Sequence, residues 1–366
     1  MTAGTSLRSP EGNGSMTLTE LSVSGLDRLA ELLARDHPSL KYLRLPGDGK
    51  YQTVETRLDR VMADVRDHLA VAFHGRATTD FPMLYCAWGR ARVGSTALNN
   101  LFGMAGLPSY YQPVKAVMRS VLAESAPSVW QLPEADAHPH IFIKETAGPY
   151  LPAECLYLPL QVLLEAGYPA DRLHLLILDR DPLASLASWL AKWSDRVAEP
   201  VLVQHFILAT LNAARVRAHA RRAGIPTTHY VYEASKEPAE TVGALFSRLG
   251  LDGLFGATVI DGWQGAGELD AAGTIIRFPE EPGIYAVPGL HASASSYRYH
   301  ERTNAARTQP YEAVLARYGI ADCYRDSVTA CIADLELDAA LSRRLFTDGS
   351  DAPHGMIRRL EMSAAD

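Results

Sequence analysis

No apolar run in the 366-residue chain approaches the ~20 residues that cross a bilayer, and the opening MTAGTSLRSPEGNGSM lacks the apolar stretch of a secretory signal. Both absences point to a cytoplasmic protein that does not contact a membrane. Cysteine is scarce. Cys86, Cys155, Cys323 and Cys331 are scattered with no C-x-x-C spacing, which argues against a disulfide framework and fits a reducing compartment. Positive charge is also short, with 35 Lys and Arg against 42 Asp and Glu and a net charge of −7, so the chain as a whole does not attract nucleic acid. Any anion site has to be assembled locally. No G-x-G-x-x-G follows a strand-like run, which excludes a dinucleotide-binding Rossmann domain, and GSTAL is not a G-x-S-x-G nucleophile elbow. The histidines of HPH, His138 and His140, have no further ligands at metal spacing, so no metal is expected.

What the sequence does contain is a globular core, with 47 % hydrophobic and 21 % charged residues. Residues 1–16 offer almost nothing to bury and read as a mobile tail. Leu26, Leu29, Leu32 and Leu33 share one helical face, and Leu58, Val61, Val65, Leu69 and Val71 recur near helical spacing, so residues 17–78 read as an N-terminal helical layer. FPMLYCAW (81–88), HIFIKE (140–145), LHLLILD (173–179) and THYVYE (228–233) are short, continuous apolar runs of the kind that form buried strands. Helical patterns in GSTALNNLFGMAG, PLASLASWLAKW and PAETVGALFSRLG alternate with them. Strand and helix in alternation predict an α/β fold of three layers around a central parallel sheet, in which ligands bind at the carboxyl ends of the strands. Residues 79–251 hold that core. From 252 the chain turns irregular and rich in Gly, Pro and Ser, as in a lid or binding loop, before helical periodicity returns from Pro310 to about Arg344. The whole reads as one domain over 17–345, with a second tail over 346–366.

AWGRARVGSTAL (87–98) has the spacing of a phosphate-cradling loop, Gly89 and Gly94 with four residues between. A strand that ends in such a loop and opens a helix aims backbone N–H groups and the positive end of the helix dipole at one point. Ser95 and Thr96 add hydroxyl donors. Ser95 stands where a nucleoside triphosphatase has its lysine, and the nearby cation is instead Arg92, ahead of the second glycine. Downstream, in LLILDRDPLASLASWL, Arg180 ends a strand and Ser188 follows eight residues later on the next helix. A guanidinium holds phosphate through two parallel hydrogen bonds.

RARVGSTAL resembles the 5′-phosphosulfate-binding loop of sulfotransferases, and Arg180 with Ser188 resembles that family's 3′-phosphate site. The resemblance spans residues 81–251. It implies a P-loop-like sulfotransferase fold and 3′-phosphoadenosine 5′-phosphosulfate as co-substrate, held by Arg92, Val93, Gly94, Ser95, Thr96, Ala97, Arg180, Ser188 and, from the later SSYRYHER segment, Arg298. That segment, with Ser293, Ser295 and Ser296, matches the loop that closes over the 3′-phosphate, and one of its aromatics is expected to meet the adenine, because Ala97 stands where the cytosolic branch has a stacking Trp. Arg92 matches the cation beside the leaving phosphate and Lys144 the active-site lysine. In place of the family's basic His and Glu the chain has Thr146 and Gln112. Glu145, His205 and His140 are then the candidate bases, Glu145 first, although neighbours on a strand point to opposite faces. Gln112, Lys115 and His205 are expected on the acceptor side. The implied acceptor is a small-molecule hydroxyl, a phenol among the options. A P-loop phosphotransferase and a non-catalytic nucleotide-binding scaffold are the alternatives.

Overall fold

Alternate residues of the strand Met83–Arg90 serve two different cores. Leu84, Cys86 and Trp88 pack into one, and Tyr85 and Ala87 into the other. The computed structural model in which this is seen describes residues 23–127, 129–263, 276–277, 280–285, 296–301 and 305–346. Both expected tails therefore fall outside the described residues, apart from Phe346, as do Ser293 and Ser295.

A short ribbon, β1 (Arg44–Leu45) with β2 (Thr56–Arg57), lies between helices α1 (Val23–Ala34) and α2 (Leu58–Phe73). The main sheet comprises β3 (Met83–Arg90), β4 (Ser109–Tyr111), β5 (His140–Ala147), β6 (Leu173–Asp179), β7 (Thr227–Val231) and β8 (Ile276–Arg277). Its order is β7-β6-β3-β5-β4-β8, and every neighbouring pair is parallel. Parallel strands need crossovers: α3 (Ser95–Met104) links β3 to β4 and α4 (Pro113–Leu122) links β4 to β5. The short helices α5 (Pro152–Leu156) and α6 (Pro159–Glu165) precede β6; α7 (Pro182–Trp193) and α8 (Glu199–Arg222) follow it. After β7 come α9 (Pro238–Arg248) and α10 (Ala257–Asp261), and the C-terminal part forms α11 (Ala305–Thr308), α12 (Glu312–Arg317), α13 (Ile320–Asp334) and α14 (Ala339–Phe346).

Residues of α1, α2, α4, α7 and α8 bury into the first core, and those of α3, α9, α10 and α13 into the second, against which Phe346 of α14 packs. The protein is thus α/β, with helices on both faces of a parallel sheet. Among the described residues no helix is long and apolar enough to cross a membrane.

Two expectations about these elements change. Val71 is 62 % exposed and Phe73 is buried in its place, because position 73 lies one turn beyond Leu69 and position 71 lies on the far side of the helix. The strand expected over 228–233 ends at Val231, and Tyr232–Lys236 turn into a 3-10 helix. Helix α8, the longest described, and strand β4 carry no counterpart in the sequence reading.

Candidate functional site

Strands β3 and β6 are neighbours, yet the helices that follow them, α3 and α7, pack into opposite cores. Connections that diverge from adjacent parallel strands open a crevice at the carboxyl ends, where α/β folds bind ligands. The loop 91–94 sits there, held from several sides. Ala91 N–H donates to Ala147 O at 3.0 Å, and the Trp189 indole donates to Ala91 O at 2.6 Å. Beneath, the buried pair Arg90–Asp179, 2.5 Å apart, ties the end of β3 to the end of β6.

Within the loop Arg92 and Gly94 both have positive φ, 71° and 79°. Gly94 caps α3 in the left-handed region, and a Cβ there would come within 2.4 Å of the Tyr232 ring. Position 94 therefore admits only glycine, on grounds of backbone and of space. Val93 and Ala97 turn their side chains into the second core, so the loop can use them only through backbone N–H groups. Ser95 and Thr96 begin α3, whose first N–H groups have no partner within the helix.

Arg92, Arg180 and Ser188 meet, as their spacing anticipates. Arg92 Nε donates to Ser188 Oγ at 2.8 Å, and Arg180 Nη1 donates to Arg92 O at 3.2 Å. Arg180 is 5 % exposed, and its Nε and Nη2 are buried without a hydrogen-bond partner. Its guanidinium lies 4.5 Å from the centre of the Tyr232 ring. Tyr232 in turn packs on Tyr299 of the SSYRYHER segment, with centroids 5.2 Å apart. Arg298 points elsewhere: it is exposed and faces Asp261 at 3.6 Å. Behind Arg180, Glu233 accepts from Asp181 N–H at 3.1 Å, and burial pushes its carboxyl up to about 7.

Across β5 the alternation separates Lys144 from Glu145. Lys144 Nζ lies 3.6 Å from the centre of the Tyr111 ring, and the Tyr111 phenol lies near the Thr96 side chain at the start of α3, which opposes the rise that burial imposes on the phenol. Glu145 faces the first core and is fully buried. It accepts from Val114 N–H at 2.8 Å, Lys115 N–H at 3.3 Å and the Tyr157 hydroxyl at 2.8 Å. Its carboxylate serves the first turn of α4, which corrects its assignment as the leading base. Burial raises it to about 7 despite these donors.

The other expected bases and acceptor contacts are likewise committed. His205 is buried, its Nδ1 2.7 Å from Pro149 O. His140 begins β5, at the opposite end from the loop. Lys115 is 1 % exposed and donates to Thr146 O at 3.0 Å and to Gly148 O, with Glu154 at 3.6 Å; it braces the β5 terminus and is closed to substrate. Gln112, with φ 56°, donates from Nε2 to Thr146 Oγ1 at 2.7 Å and from its backbone to Lys144 O at 2.8 Å. Gln112 and Thr146 thus bond to one another beside Lys144.

Tyr111 is the neighbour of Lys144 that sequence reasoning missed. Tyr111 pairs with Lys144 in the β4–β5 register, a relation that appears only once the strand is known. Compared with family models, curated proteins and solved structures, the chain matches none.

Proposed function

We propose that this protein transfers a sulfuryl group from 3′-phosphoadenosine 5′-phosphosulfate to the hydroxyl of a small molecule. The observation that carries the reading is Arg180. A buried guanidinium with two unpartnered nitrogens leaves a charge and its donors unpaired, a costly state for a folded chain, and an anion with several oxygens relieves it. The orphaned atoms lie beside the Arg92–Thr96 loop, so the residues present fit a ligand bearing two separate anionic groups. In this reading the loop backbone, Ser95, Thr96 and Arg92 hold the 5′-phosphosulfate. Arg180 and Ser188 hold the 3′-phosphate, and Tyr232 with Tyr299 offers the adenine an aromatic face in place of the missing Trp. Transfer then needs an acceptor oxygen in line with the leaving phosphate oxygen and cations around it. Arg92 supplies one.

Calorimetry with 3′-phosphoadenosine 5′-phosphate and with magnesium-ATP tests the assignment. The bisphosphate binds, and Arg180→Ala weakens it by about 1.5–3 kcal/mol, the value of a hydrogen bond to a charged group. Tight binding of magnesium-ATP with no affinity for the bisphosphate would establish the phosphotransferase instead. Bisphosphate binding without sulfated product from phenols, alcohols or amines would identify a non-catalytic scaffold.

A further inference from the structure

We infer that the Lys144 amine is the base that takes the proton from the acceptor hydroxyl. The inference rests on the sulfuryl-transfer reading and assigns the one role in it that Glu145, His205 and His140 cannot fill.

Lys144 is 3 % exposed, and among the described residues its Nζ makes no ion pair and no hydrogen bond. An ammonium so placed would be a buried charge with no hydrogen-bond acceptor and no ion pair; the face of the Tyr111 ring attracts it, but by only about 0.5–2 kcal/mol, less than the loss of its hydration shell costs. The groups that face it favour the same state. Burial lowers its proton affinity most, and Lys115 of α4 lowers it next; Glu145 on its own strand opposes them, Arg119 of α4 lowers it again, and Glu281 of the 280–285 segment opposes least. Lys115 itself is lowered to about 8 by burial despite Glu154. The two buried lysines differ in one respect. Lys115 spends its hydrogens on Thr146 O and Gly148 O, while the Lys144 nitrogen keeps its lone pair free above Tyr111, a ring near the Thr96 side chain.

The step balances. The acceptor oxygen forms the new bond to sulfur, its proton passes to the Nζ lone pair, and the bond from sulfur to the bridging oxygen breaks with its electron pair leaving on the 5′-phosphate. The lysine becomes an ammonium as that phosphate gains charge, so one residue acts first as base and then as counter-ion. Solvent takes the proton after the products leave.

The chain has six lysines, so a protein labelled with ¹³C-lysine gives a proton–carbon spectrum simple enough to titrate, and Lys144→Arg assigns the signal. We expect Lys144 to titrate below the four lysines outside this cluster; titration together with them overturns the proposal. Kinetics test it separately, with phenol and 4-nitrophenol as acceptors. Lys144→Gln and Lys144→Arg should slow transfer to phenol about 10²–10⁴-fold, the usual range for loss of a general base. They should slow transfer to the more acidic 4-nitrophenol less, and should leave bisphosphate affinity within about threefold. An active Lys144→Arg enzyme overturns the assignment, as does a loss of bisphosphate affinity matching the loss of rate, because either result makes Lys144 a cation. Failure of the wild-type protein to bind the bisphosphate would sink the sulfuryl-transfer reading and leave the titration result standing.

Discussion

A methyl group at position 94 would meet Cδ2 of Tyr232 at 2.4 Å and would have to adopt φ 79°. The two penalties can be separated. Gly94→Ala should weaken bisphosphate binding at least tenfold and destabilise the fold by about 1 kcal/mol. Adding Tyr232→Ala removes the steric part and leaves the backbone part, so a double-mutant cycle by calorimetry and urea denaturation should show coupling in binding. Purely additive losses would mean that the ring does not limit the loop. Residues whose role depends on spacing along the chain were legible before the structure: Arg92, Gly94, Arg180 and Ser188 converge as their sequence pattern indicates. Glu145 was not, because its role is set by α4, a helix packed against it from another segment. Adjacency to Lys144 in the chain placed it on the wrong side of the sheet.

Helix α4 begins at Pro113 after a Gln112 that offers no side-chain cap of its own. Glu145 from β5 does that work, accepting from the N–H groups of Val114 and Lys115. Glu145→Ala strands these two donors and leaves the Tyr157 hydroxyl only Thr146 O, at 3.4 Å. It should cost about 2–3 kcal/mol by denaturant unfolding, near the top of the range for leaving buried polar groups unpaired. A loss below 0.5 kcal/mol, within the ~0.5 kcal/mol scatter of ordinary surface changes, would show that water replaces the carboxylate. Elements with a strong local signature were readable: β3, β5, β6 and β7 announce themselves as apolar runs, and α3, α7 and α9 as amphipathic ones. Helix α8 was not readable. It buries Leu202, Phe206 and Ile207 together with His205, Asn212 and Arg215, and a helix buried on several sides with polar residues among them shows no single apolar stripe. Strand β4, with three residues, is too short for alternation to register.

For the whole molecule, Glu145 and Glu233 are both raised to about 7 from 4.5, burial being the largest cause in each. A carboxyl whose folded value exceeds its unfolded one keeps its proton in the native state after the unfolded chain has released it. The stability it contributes is complete below about 4.5 and is lost as pH rises through about 7. Glu154 and Asp334 are shifted down by nearby cations and hydrogen bonds, so their contribution disappears toward acid. The share of unfolding free energy owed to these two carboxyls should therefore decline from pH ~5 to ~8, while His140, His174, His205 and His219, whose proton affinity burial lowers, add an opposite slope below about 6.5, and Glu233→Gln should remove the Glu233 share of the decline. An unchanged slope in the variant would show that Glu233 does not titrate in this window. The crevice between β3 and β6 takes one wall from each hydrophobic core, Arg92 and Gly94 leading into one and Ser188 riding on the other. Neither half of the chain can assemble it alone. Occupancy and folding would consequently be linked by mass action: a ligand at 100 times its dissociation constant adds about 2.7 kcal/mol to the native state, so any ligand held there would act as a cross-brace between the two cores.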